Sequence, residues 1–109
     1  MKDVDFTKEV ERILDDIAQT IEDKDQEGLI EVDLNSGILT IGTEAGIFVI
    51  NKQSAAKEIW LSSPISGPYH FAFKDGQWLS RNGAELFDVL TKELKIEIKD
   101  TTPSSRGAR

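Results

Sequence analysis

The stretch Ile30-Glu31-Val32-Asp33-Leu34-Asn35-Ser36-Gly37-Ile38-Leu39-Thr40-Ile41-Gly42 decides how this chain folds. Ile30, Val32 and Leu34 alternate with Glu31 and Asp33, the period of a strand with one face buried and the other in water. Asn35-Ser36-Gly37 then supplies a tight turn, and apolar residues resume at Ile38 as a second strand running to Gly42. So short a connection joins antiparallel neighbours.

Downstream the pattern repeats. Thr43 to Gly46 reads as a turn, Ile47 to Asn51 as a third strand, Glu58 to Ser62 and Tyr69 to Lys74 as a fourth and fifth. The loop Pro64-Ile65-Ser66-Gly67-Pro68 separates the last two, and Asp75-Gly76 marks a hairpin before the short strand Gln77-Trp78-Leu79. Upstream the period changes to 3.6. Phe6, Val10, Ile13, Leu14, Ile17 and Ile21 fall within an arc of about 100°, which predicts a helix over about residues 4–24 with Asp3 or Asp5 as its cap. A second helix is predicted over about residues 84–97, capped by Asn82, with Leu86, Phe87, Leu90 and Leu94 on one face.

The architecture these elements imply is α+β. Two helices, each with one apolar face, pack on one face of a single antiparallel sheet of five to six strands, leaving the other face for water or a partner. Residues 1–100 form one domain and 101–109 read as a flexible tail.

Composition removes several functions. With no cysteine, the chain cannot hold an iron–sulfur cluster by thiolates, carry a persulfide or use a cysteine nucleophile. With His70 as the only histidine, multi-histidine zinc, copper and iron sites are excluded, so any metal must be held mainly by oxygen. The net charge is −7, and residues 1–33 alone carry −8, from 12 acids and 4 bases. That field disfavours nucleic acid and favours cations or a basic protein surface. The N-terminus has neither a signal peptide's apolar stretch nor the acid-free composition of a transit peptide, and a cytoplasmic protein is the expectation.

Two places break local rules. Glu22, Asp23, Asp25 and Glu27 crowd the C-terminal end of the first helix, where the helix dipole prefers cations. Glu11 and Asp15 lie four apart on one stripe, a like-charge pairing that costs about 0.2–0.5 kcal/mol. Glu31 and Asp33 point to one sheet face. Together they read either as a solvated face that aids solubility or as one acidic ridge binding hard cations weakly, since Asp23 to Gly28 lacks the spacing of a calcium loop. The second place is Trp60. Ile59 and Leu61 alternate inward, so Trp60 points out, either as a partner contact or packed against Asn51 or Gln53 on its own face. Ser62 and Ser63 near His70 lack the glycine elbow of a hydrolase, and no Glu-x-x-His repeat of a di-iron bundle is present.

Asn51-Lys52-Gln53 and the run Ile59-Trp60-Leu61-Ser62-Ser63-Pro64-Ile65-Ser66-Gly67-Pro68 closely resemble the frataxin family, and the match extends over about residues 4–97. The run follows the pattern of the mitochondrial members, while the short chain resembles the bacterial, CyaY-like branch. The resemblance implies the same two-helix, one-sheet fold. It implies weak surface binding of ferrous and ferric iron at a ridge formed by Glu22, Asp23, Asp25, Glu27, Glu31 and Asp33, extended by Glu11 and by Asp15 or Asp16. It also implies docking to a cysteine desulfurase and an iron–sulfur scaffold protein, with Trp60, Asn51, Gln53, Glu22 and Asp23 facing partners. What it implies is a non-catalytic regulator of cluster assembly, monomeric unless metal drives assembly; a ferroxidase or iron-storage protein is the alternative. Ala18, Gln19 and Leu29 stand where bacterial relatives can carry acids, and His70 stands where mitochondrial members carry an arginine.

Overall fold

The computed structural model describes residues 2–100, so the expected tail lies outside the described residues. Helix α1 spans Asp3–Lys24 and is followed by six strands, β1 (Glu31–Asn35), β2 (Ile38–Thr43), β3 (Gly46–Gln53), β4 (Glu58–Ser63), β5 (Gly67–Lys74) and β6 (Gln77–Leu79), then by α2 (Leu86–Leu94). The strands form one antiparallel sheet in sequence order, β1 to β6.

Strand alternation sorts the side chains. Leu39, Ile41, Phe48, Ile50, Ile59, Leu61, Phe71 and Trp78 point to one face and are fully or almost fully buried. Phe6, Val10, Ile13, Leu14, Ile17 and Ile21 of α1 and Leu86, Phe87 and Leu90 of α2 close over them. Burying one such side chain is worth about 1.5–3 kcal/mol, against a few tenths for each like-charge pair on the surface of α1. The helix therefore stands despite its acids.

Two positions show why the turns hold. Ser36 (φ 51°) and Gly37 (φ 80°) are both left-handed, the type I′ hairpin whose twist matches the strands. Gly46, at φ 130°, lies so close to Pro64 that a Cβ there would meet the ring's Cβ at 2.7 Å. The turn between β2 and β3 thus seats the loop between β4 and β5.

The helix ends differ from the expectation. Lys2 occupies the N-cap of α1 and makes no side-chain cap, and Asp5 lies inside the helix. Glu85, not Asn82, caps α2, its side chain accepting from the amide of Asp88, while Asn82 accepts from the Ser80 hydroxyl. Helix α2 stops at Leu94 because Lys95 is left-handed (φ 59°). Ile98 is nevertheless buried: the chain turns back, and Thr91 Oγ1 accepts from the Ile98 amide (2.9 Å) and donates to its carbonyl (3.2 Å). The helix expected to run to about residue 97 therefore ends earlier, at Leu94.

Candidate functional site: an acidic ridge and an aromatic sheet face

The two flanks of α1 have opposite surroundings. On one, Arg12 bridges Glu9 (2.7 Å) and Asp16 (2.6 Å), and the bond to Glu9 raises the guanidinium pKa further. Asp100 on the C-terminal segment adds its charge there. On the other, Glu11, Asp15 and Glu22 share a stripe at helical spacing. The chain leaves α1 at Asp25 and returns beside it as β1, where Glu31 and Asp33 are exposed and Val32 packs against the core.

These acids are not equivalent. Glu11 is paired with Lys52 of β3 at 2.7 Å. The Asp25 carboxylate accepts from the amides of Leu29 (3.0 Å) and Ile30 (2.8 Å), which ties down the connection to β1. Its place at the end of the helix therefore has a structural reason that sequence reading missed. Asp23, about 100° around α1 from Glu22, accepts from Gln19 (3.0 Å). Asp15, Glu22, Glu27, Glu31 and Asp33 have no hydrogen-bond or ion-pair partner among the described residues. Among those residues no three acids or histidines converge closely enough to hold a metal ion together. An ion here would meet one or two carboxylates and complete its shell with water, as a hard cation accepts.

The second region is the sheet face away from the helices. Register aligns Asn35, Ile38, Asn51, Trp60 and His70 in one row across β1 to β5, and Gln53 lies opposite Glu58. Trp60 is half-buried and held on two sides. Its ring stacks on His70 (centroids 4.1 Å, 10° between planes), and its Nε1 donates to Glu58 at 2.8 Å. Asn51 is its neighbour by register, but the clamp comes from His70 and Glu58, which no spacing rule pairs with it. The row begins on β1, the strand that carries Glu31 and Asp33 on the same face. Three strand spacings, about 14 Å, separate β1 from Trp60.

The serines after Trp60 do a different job. Ser63 points to the helix side, is buried, and donates to Glu93 of α2 (2.5 Å) while accepting from the amides of Ile65 (3.0 Å) and Ser66 (3.1 Å). Ser66 donates to the other oxygen of Glu93 (2.5 Å) and accepts from Tyr69 (2.9 Å). The run from Ile59 to Pro68 is thus one outward aromatic followed by a corner that fastens the sheet to α2. His70 lies on the opposite sheet face from Ser63, which leaves no serine–histidine pair there.

Solved frataxins share this fold. The frataxin-like domain family matches residues 1–100. The mitochondrial frataxin homolog of Saccharomyces cerevisiae is 38% identical over 98 residues, covering 85% of this chain and 56% of that protein, so the chain spans little more than half the length of this relative. Trimeric yeast frataxin complexed with ferrous iron superposes with a TM-score of 0.73 at 38% identity, over 84% of this chain and 87% of that one. Frataxin from Psychromonas ingrahamii, of the CyaY family, shares the fold at a TM-score of 0.70 and 24% identity, over 91% of this chain and 97% of that one. The chain belongs to the frataxin family. No helix among the described residues is long and apolar enough to cross a membrane.

Proposed function

We propose that this chain is a non-catalytic iron-binding protein of iron–sulfur cluster assembly, working in the cytoplasm. Its acidic ridge docks on a basic surface of a cysteine desulfurase, and the Trp60 row, with Asn51 and Gln53, meets the scaffold protein. The observation that carries this reading is the clustering of Asp15, Glu22, Glu27, Glu31 and Asp33, none with a partner among the described residues, along α1, the turn that follows it and β1. The yeast relative solved with ferrous iron supports iron as the ridge's metal, and its trimeric state supports assembly of this chain beyond the monomer. The dispersed acids favour weak binding at several surface positions over a caged centre.

Iron and the basic partner draw on the same carboxylates, so each should weaken the other's binding. Exchanging Glu22, Asp23 and Glu31 for lysine should abolish desulfurase binding, and binding of the unaltered chain should fall with salt. Unchanged affinity of the triple variant refutes the ridge assignment. An anaerobic ferrous titration followed by amide resonances should move the signals of Glu22, Glu31 and Asp33 first. Silence at millimolar iron would make the chain a docking protein that meets no metal there. Sustained oxygen consumption with ferrous iron would turn the reading towards a ferroxidase.

A further inference from the structure

The outer edge of β1 is open. Strand β1 ends the sheet, and no strand lies beyond it among the described residues. The two-residue turn Ser36-Gly37 makes Asn35 and Ile38 the closing hydrogen-bonded pair, so by alternation Asp33 with Thr40 and Glu31 with Gly42 also exchange bonds across the hairpin. The amides and carbonyls of Val32 and Leu34 therefore point away from the sheet. Ile30 has the same phase, and its amide is already taken by Asp25 Oδ2 at 2.8 Å. The edge is sealed at its start and free along its length.

Open edges invite indiscriminate pairing, and proteins blunt them with lysine, proline, bulges or covering segments. Strand β1 has no lysine or proline, and its register to β2 is unbroken over five residue pairs. Its only guard is charge. Glu31 and Asp33 are exposed on the sheet's outer face, and the stripe of Glu11, Asp15 and Glu22 runs along α1, which packs against β1. A second β1 laid on this edge would bring carboxylates together. An extended segment with lysine or arginine at alternate positions would place its cations against Glu31 and Asp33. The intervening side chains would then cover Leu34, which is 38% exposed, on the helix side.

We propose that the edge of β1 accepts an extended, alternating basic and aliphatic segment of a partner protein as a seventh strand. The proposal rests on the reading of the ridge as a docking surface and adds to it backbone pairing at Val32 and Leu34.

The test uses the whole chain and two amidated peptides of alternating lysine and valine, identical except that one carries N-methyl groups on its pairing amides. The charge is the same, and the second cannot donate to a strand. The unmodified peptide should bind roughly tenfold more tightly, the loss expected for about two hydrogen bonds. It should also slow amide exchange at Val32 and Leu34. Exchanging Glu31 and Asp33 for lysine should remove binding of this peptide and admit one in which glutamate replaces lysine. Equal affinity of the two lysine peptides, with no exchange protection on β1, overturns strand pairing while leaving the ridge as a charged surface. No binding of either peptide, in a chain whose spectrum shows it folded, overturns both.

Discussion

Glu93 and Glu22 are both glutamates on helices, and their surroundings could hardly differ more. Glu93 receives two hydroxyls, from Ser63 and Ser66, and fastens α2 to the corner between β4 and β5. Glu22 receives nothing from the described residues. The same contrast separates the two flanks of α1, where Arg12 answers Glu9 and Asp16 while Asp15 and Glu22 have no partner among the described residues. An acid in a sequence is thus a question about partners. The partners of a structural acid often come from far along the chain, and those of a functional acid come from outside it.

The contrast breaks most visibly at the corner. Glu93→Ala strands a buried Ser63 hydroxyl and should cost about 2–3 kcal/mol in urea unfolding; a loss below about 0.5 kcal/mol would mean the corner does not depend on that carboxylate. Asp25→Ala comes next, at about 1 kcal/mol, because two amides lose their acceptor; a cost as small as that of Glu22→Ala would return Asp25 to the ridge as a purely external acid. Glu22→Gln and Glu31→Gln should change stability by no more than about 0.5 kcal/mol, in the stabilising direction, while weakening iron and partner binding. Destabilisation by either would show a hidden internal partner.

Glu85 sharpens the comparison from another side, since it is an acid that serves the fold at a cost. Its Oε1 caps α2, its Oε2 is buried without a hydrogen-bond partner among the described residues, and burial pushes its pKa up. A carboxyl with a raised folded-state pKa favours the folded chain below its unfolded value and loses that contribution as pH climbs through the folded one. Stability should therefore rise modestly as pH drops from neutral towards the upper carboxylate range. Glu85→Gln, which keeps the capping oxygen, should flatten that rise; an unchanged pH profile would place the effect on another group.

Much of the fold was legible from the chain alone. The change of period at Ile30, the turns at Ser36-Gly37 and Asp75-Gly76, and the apolar stripe from Phe6 to Ile21 are local signals, and local physics answers them. Strand ends moved by only one or two residues, as where β5 begins at Gly67 and β3 runs on to Gln53. What escaped depends on distant residues. Lys52 lies 41 positions from Glu11, and Ser63 lies 30 from Glu93. No spacing rule links such pairs. The acceptor role of Asp25 becomes visible only once the chain turns at Leu29 and Ile30. Charge alone marks the acids of the proposed ridge. That some of them are spoken for is a fact of three dimensions.

The two tryptophans have sharply different settings, and the difference makes the protein its own instrument. Trp78 is sealed in the core against Phe6 and Phe73, whereas Trp60 is half open and stacked on the sole imidazole of the chain. Emission from the first reports whether the chain is folded, and emission from the second reports what touches the sheet. With Trp78 alone, as in Trp60→Phe, fluorescence follows denaturation; with Trp60 alone, as in Trp78→Phe, it follows encounters at the surface, without any dye attached.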